Sequence, residues 1–389
     1  LSRVLQPEPE GFPASMTRAD RFAPAHCPRL VVKIGSALLV DPDGQVRRAW
    51  LEGVVADLGA AHRAGQRIIV VSSGAIALGA QRLGLPGGGR ASLEDAQAAA
   101  ATGQIALSHV WAELLGAQKL TAAQVLLTLD DLEDRRRYLN ASATFGRLLD
   151  LGVVPVVNEN DTVATEEIRF GDNDRLAARV AQAAGAGGVI LLSDVDGLYT
   201  ANPQRDPSAT LIEEVAKLDA ATMAMADSGS GSGMGSGGMI AKLQAARIAH
   251  AGGAHLAIVG GRQDHPLAAF AATGRGTIFP APASGGARKA WLAGRLTAKG
   301  RILIDAGAAK ALTSGASLLP AGAIAIEGSF ARGDVIDIVA GDHTLARGLA
   351  EYDAAEAQLI VGKRSADLAS VLGHAPRAVL VHRDHMVLL

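Results

Sequence analysis

One repeated unit constrains this chain more than any other feature: a short run of apolar, often β-branched residues that ends on a polar or glycine turn. It appears as "RLVVKIG" from Arg29, "QRIIVVSSG" from Gln66, "GVVPVVNEND" from Gly152, "GGVILLSDVDG" from Gly187 and "AHLAIVGG" from Ala254. Helical spacing lies between the runs, as in "RRAWLEGVVADLGAAHRAG". Runs this uniformly apolar fit strands buried on both faces, and their alternation with helices fits crossover connections. The predicted fold class is α/β, an open, mostly parallel sheet sandwiched by helices.

The pattern stops near "GTIFPAPASGGARKA", where Pro280, Pro282, Gly285 and Gly286 predict a linker. Beyond it, "GRILIDAGAAKALTSGASLLPAGAIAIEGSF" predicts a small, mostly-β module. The expected organisation is an irregular N-terminal extension over 1–28, an α/β domain over 29–280, a linker over 281–287 and the small module over 288–389. The chain starts with Leu, and its first segment lacks the apolar core of a signal peptide.

Bulk properties exclude several classes. Net charge is −2, which gives no global drive toward nucleic acid or membrane. The small module carries twelve basic against ten acidic residues, with no basic aromatic stripe, so nucleic acid is not an expected partner. A single cysteine, Cys27, allows no disulfide within the chain and fits a reducing compartment. No apolar run approaches the ~18 residues of a membrane span. Aromatics are 3% while Gly and Ala abound, which predicts close contacts between elements through small residues. The ten histidines are read as lacking H-x-x-H or C-x-x-C partner spacing, so no zinc site is expected. There is no P-loop, no dinucleotide fingerprint after a strand, and no nucleophile elbow.

In open α/β sheets ligands collect beyond the carboxyl ends of the strands. Four such ends here carry polar groups: Lys33 with Gly35; Ser72 and Ser73; Asn158 to Asp161; Ser193 and Asp194. A lysine beside a glycine turn can meet a phosphoryl oxygen, or simply reach solvent. Ser73 begins a strand-to-helix turn whose amides can bind an anion, or it can be a plain cap. Asp172, Asn173 and Asp174 open a helix, and three in a row exceed what capping needs. Carboxylates with amides suit a ligand that bears both an ammonium and a carboxylate. Asp161 would take the ammonium, while amides and a serine hydroxyl would take the carboxylate. "SGSGSGMGSGGMIAKLQAARIAHAGG" sets a flexible Gly/Ser loop against a helix start carrying Lys242. It reads either as a linker or as a lid over phosphates.

Five segments, "VVKIGSALL", "VVSSGAIALG", "VPVVNENDTVATEEIRFGDNDRLAA", "LLSDVDGLYTANP" and "GSGGMIAKLQAA", resemble the glutamate 5-kinases of the amino acid kinase superfamily in order and spacing. "SLLPAGAIAIEGSFARGDVIDI" and the ending "VHRDHMVLL" resemble a PUA domain. Together they cover most of residues 29–389. The resemblance implies transfer of the γ-phosphoryl group of ATP, with Mg2+, to the γ-carboxylate of L-glutamate in the cytoplasm, the first step of proline biosynthesis. Lys33, Lys242 and Asp174 are then the catalytic group, with Asp174 orienting the lysines. Lys33, Ser193, Asp194 and the run Ser236, Gly237, Gly238, Met239, Ile240, Ala241 and Lys242 would hold the nucleotide. Ser73, Asp161 and Asn173 would bind glutamate, and no protein metal ligand is expected. Feedback inhibition by L-proline and a homo-oligomer, dimer or tetramer, are implied as well. Two departures stand out: Ser36 and Ala37 where many relatives have Thr and Ser, and Ser193 where many have Thr. Hydroxyls survive at Ser36 and Ser193. Another small acceptor on the same fold, or an RNA-binding role for the small module, are the competing readings.

Overall fold

The computed structural model describes residues 17–163, 172–227, 238–282, 298–374 and 376–389. Its larger sheet has seven strands. They are β1 (Arg29–Ile34), β2 (Arg67–Ser72), β3 (Ala122–Leu127), β4 (Val154–Glu159), β5 (Gly188–Ser193), β8 (His255–Gly260) and β9 (Thr277–Phe279), in the order β3-β4-β2-β1-β5-β8-β9. Every pairing is parallel except β8 with β9. The short β6 (Leu198–Tyr199) and β7 (Leu211–Ile212) form a separate antiparallel pair. The chain leaves β1 toward β2 on one side and β5 on the other, so the ends of β1, β2 and β5 converge on a switch point.

Ten helices surround this sheet among the described residues: α1 (Ser36–Leu39), α2 (Arg48–Arg63), α3 (Ala75–Leu83), α4 (Leu93–Ala117), α5 (Leu129–Glu133), α6 (Arg135–Asp150), α7 (Asp172–Ala184), α8 (Ala220–Asp227), α9 (Met239–Ala251) and α10 (Pro266–Thr273). Alternation along β1 sorts its side chains between two cores. Leu30, Val32 and Ile34 join one with α2 and α4, while Val31 joins the other with α7 and α9. Lys33 has the parity of Val31, which sends it toward α7 and α9.

Helices α3 and α4 cross with almost no space between them. A Cβ on Gly79 would overlap the carbonyl oxygen of Ala99, and one on Gly103 would overlap that of Ala75. The abundance of small residues is put to use here, since only glycine admits such an approach.

Residues 17–28, read above as irregular, include a 3-10 turn over Arg18–Phe22. Phe22 and Cys27 are buried, and Gln66 Nε2 donates to the carbonyls of both. Arg21 pairs with Glu214 at 2.7 Å. Burial pushes the Cys27 thiol up to about 12, which makes it unreactive.

The C-terminal residues form a five-stranded sheet: β10 (Gly300–Ile304), β11 (Ala323–Gly328), β12 (Val335–Ala340), β13 (His343–Leu349) and β14 (Met386–Leu388), in the order β11-β10-β12-β13-β14. It has its own apolar core around Ile302, Ile338, Tyr352 and Leu380. Leu139 of α6 packs among Val335, Leu349 and Val387 of this sheet. Much of the proposed linker lies in residues 283–297, outside the described residues.

Candidate active site

Lys33 comes from the end of β1, Asp174 from the first turn of α7 and Lys242 from the first turn of α9. Lys33 Nζ lies 2.6 Å from Asp174 Oδ1, and Lys242 Nζ donates to Asp174 Oδ2 at 3.1 Å. Asp174 is wholly buried, and each lysine is 5% exposed. Two ammonium groups gathered on one buried carboxylate concentrate positive charge in a form that suits an incoming anion. Burial works to raise the Asp174 pKa, but the charges of Lys33 and then Lys242 outweigh it, and the carboxyl lies below the usual aspartate range. For Lys33, burial pulls the pKa below the ordinary lysine value. The charge of Asp174 opposes that pull, Lys242 reinforces it, and Asp194 adds a smaller opposing contribution.

Ser193 and Asp194 follow directly on β5, the parallel neighbour of β1. Ser193 Oγ donates to Asp194 Oδ1 at 3.2 Å, and Arg262 Nε donates to the Asp194 carbonyl. Gly238 caps α9 without a side chain, and Met239, Ile240 and Ala241 lead into Lys242. A cation in a first turn opposes the helix dipole unless an anion shares that helix end. Ser236 and Gly237, expected to hold phosphate, lie outside the described residues.

A second polar group sits beside the first. Asn173, the residue before Asp174, donates from Nδ2 to Ser73 Oγ at 2.9 Å and to Asn158 Oδ1 at 3.1 Å. Asn158 in turn donates to Gln104 Oε1 of α4 at 2.8 Å. Ser72 is spent elsewhere, accepting from Trp111 Nε1 at 3.0 Å, so Ser73 is the serine this strand end presents. With both Nδ2 hydrogens used, Asn173 has none left for a substrate carboxylate, contrary to the expectation from its residue type. Its Oδ1 is buried and accepts no hydrogen bond among the described residues.

Asp161 sits on the 3-10 turn after β4 and is buried. It lines a cleft of about 260 Å3 with Gln104, Gln124, Glu159 and Asn160. Its charge acts on the Arg90 guanidinium, whose pKa burial nevertheless lowers. Sequence reasoning missed Gln104 and Arg90.

His382 and His385 do stand at H-x-x-H spacing, against the expectation that the histidines lack paired spacing. Their rings are 5.5 Å apart. Among the described residues, no group of three or more His, Cys, Asp or Glu could hold a metal ion, and no helix is long and apolar enough to cross a membrane.

Residues 28–260 match the amino acid kinase family, and residues 300–372 match the PUA domain. The chain belongs to the amino acid kinase family. This kinase is 68% identical to a protein of Sphingopyxis alaskensis named glutamate 5-kinase, over 95% of this chain and 99% of the relative. It is 63% identical to the glutamate 5-kinase of Zymomonas mobilis over 95% of this chain and 93% of that one. It is 60% identical to that of Novosphingobium aromaticivorans over 93% and 96% respectively. The kinase thus spans nearly the full length of its named relatives.

Proposed function

We propose that this kinase transfers the γ-phosphoryl group of ATP to the γ-carboxylate of L-glutamate, giving L-glutamyl 5-phosphate and ADP. The observation that carries the reading is the buried Lys33–Asp174–Lys242 cluster, whose two convergent ammonium groups suit a phosphate chain. The three relatives named glutamate 5-kinase support the choice of acceptor. Residues 29–280 would carry the reaction and 288–389 would be an accessory module.

A γ-carboxyl group with a reference pKa near ~4.3 is ionised at neutral pH, so no general base is needed. A carboxylate oxygen attacks the γ-phosphorus, and the bond to the bridging oxygen of ADP breaks with its electron pair. No proton moves. The difficulty is repulsion between two anions, and positive charge with positioning must overcome it. Lys33 and Lys242 would flank the transferring group, and Asp174 would hold their spacing. Mg2+ would be held chiefly by phosphate oxygens and would neutralise their charge. Ser193, Asp194 and the α9 N-terminus would hold the nucleotide, with Ser236 and Gly237 in the loop before it. Ser73 and Asn173 would hold the α-substituents of glutamate, with Asp161 facing the ammonium from the adjoining cleft. A cytoplasmic first step of proline biosynthesis, proline competing with glutamate, and a dimer or tetramer complete the proposal.

Hydroxylamine trapping tests it. ATP-dependent hydroxamate should form with L-glutamate. ADP release should be slower with aspartate, acetylglutamate or UMP. No hydroxamate from glutamate, or faster ADP release with another acceptor, would overturn the reading. Glutamate titrations that superimpose with and without proline would remove the inhibitor from it.

A further inference from the structure

The chain Ser73–Asn173–Asn158–Gln104 has a polarity, and that polarity decides what the site offers a substrate. Asn173 Nδ2 spends its hydrogens on Ser73 Oγ and Asn158 Oδ1. Its own Oδ1 remains a pure acceptor, buried and without a donor among the described residues. Such an oxygen is costly to leave unpaired, so the site asks for a donor from its ligand. Ser73 Oγ accepts from Asn173 and keeps its hydrogen, so it offers a donor.

Asn158 can turn its oxygen toward Asn173 only while its nitrogen points the other way. The group receiving that nitrogen is Gln104 Oε1, at 2.8 Å. Gln104 Nε2 donates onward to Ser108 Oγ at 3.2 Å. The hydroxyls at the two ends, Ser73 and Ser108, can each donate or accept, so they impose no direction. The three amides between them reverse together. If Gln104 turned over, Asn158 and then Asn173 would follow, presenting an NH2 where an oxygen now stands. Gln104 reaches Asn158 because the Gly79–Gly103 crossing holds α4 against α3.

We propose that Gln104 is a positioning residue for acceptor specificity. By accepting from Asn158 it keeps Asn173 Oδ1 an acceptor for the substrate α-ammonium and leaves the Ser73 hydroxyl to donate to the α-carboxylate. The site thereby selects α-amino dicarboxylates over the same diacid lacking the amino group. This rests on the proposed function, and the test separates the two.

The experiment compares the full chain with Gln104→Glu, Gln104→Met and Gln104→Lys. The measurements are ADP release with glutamate, inhibition by glutarate, and KM for ATP. Glu can only accept, so it locks the present polarity and should keep the glutamate KM within about threefold. Met releases the polarity. It should lower kcat/KM for glutamate by about tenfold or more, as expected when a buried polar group loses its match, with ATP KM nearly unchanged. Glutarate inhibition should hold or strengthen in the same variant. Lys can only donate and forces the reverse polarity, so it should behave like Met. It stands in if the Met variant fails to fold. Equal losses for glutamate and glutarate, or a Glu variant as poor as Met, would overturn the inference. An unchanged chain inactive with glutamate would instead remove the proposed function.

Discussion

Lys33 and Asp174 meet inside the protein at 2.6 Å, one from the end of the central strand and the other from the first turn of the helix packed over it. The pairing follows from parity along β1, since only the odd-numbered side chains from Val31 onward face α7. Asp174 therefore compensates two buried lysines, and under the proposed function it would also space them for an incoming anion.

Asp174→Asn separates those duties. The variant buries two ammonium groups without their carboxylate. Breaking a buried ion pair costs about 3–5 kcal/mol, so the thermal midpoint should fall clearly. Nucleotide phosphates would supply the missing negative charge. ADP should therefore raise the midpoint of the variant by more than it raises that of the unchanged chain. Equal rises in the two proteins would show that the lysines are not shared between Asp174 and phosphate.

Lys242→Met should do nearly the opposite to stability. It removes one of the two buried cations on Asp174 and leaves the Lys33–Asp174 pair in place, while helix propensity is conserved. The midpoint without nucleotide should be unchanged or slightly raised. Lys242 contributes to the depressed pKa of Lys33, so that pKa should rise. Turnover should fall on the order of a hundredfold, comparable to losing one preorganised charge-stabilising group. ATP affinity should fall less, because the charge matters most during transfer. A near-normal turnover number would make the Gly/Ser loop a linker and Lys242 a structural residue.

Gly103→Ala tests how the α3–α4 crossing serves the site. In an isolated helix the change would stabilise by about 1 kcal/mol. Here the new methyl would meet the carbonyl of Ala75, a backbone atom that cannot give way locally. Overpacking of this kind costs about 1–3 kcal/mol, sometimes more, and should win. Because Gln104 is the next residue, the displaced helix should also raise the glutamate KM while sparing that for ATP. A stabilised protein with unaltered glutamate kinetics would show that the crossing can open freely.

The strand ends were legible because burial on both faces leaves a strong apolar signature, and the polar residue that ends such a run stands out. Lys33, Ser73 and Ser193 were singled out this way, and Asp174 through a run of three polar residues opening a helix. Lys242 was legible through an electrostatic misfit, a cation where the helix dipole disfavours one. Gln104 was not, because "AATGQIAL" is an ordinary helical stretch whose meaning depends on a glycine crossing with another helix. Arg90 lies outside any strand-end motif, and its nearness to Asp161 is a tertiary fact. The amide directions of Asn158 and Asn173 were equally hidden. Residue type says that an amide can donate and accept, and only the network says which atom is left over. The docked turn at Arg18–Phe22 was missed since its charges and the prolines on either side of it look irregular while its one anchor, Phe22, is a single residue.

Removal of residues 288–389 should leave a folded protein with measurable turnover. Every residue assigned to nucleotide or acceptor precedes that point, and each sheet has its own core. The two parts nevertheless share a surface on the first turns of α6. Leu139 is 1% exposed among Val335, Leu349 and Val387, and the Tyr138 ring meets that of His385 at 5.8 Å. Arg332 Nη1 donates to Asn140 Oδ1 at 2.7 Å. Truncation bares this patch, and losing the burial of one leucine costs about 1.5–3 kcal/mol. A lower midpoint is therefore expected, together with a tendency to associate through the exposed patch. Leu139→Gln in the truncated chain should restore solubility without changing turnover, since Leu139 packs on the C-terminal sheet and is not among the residues assigned to nucleotide or acceptor. Circular dichroism and ADP release on both truncated proteins make the comparison. A truncated chain that is soluble and folded yet wholly inactive would mean that the C-terminal module takes part in the reaction itself, acting through α6 on its neighbour α7.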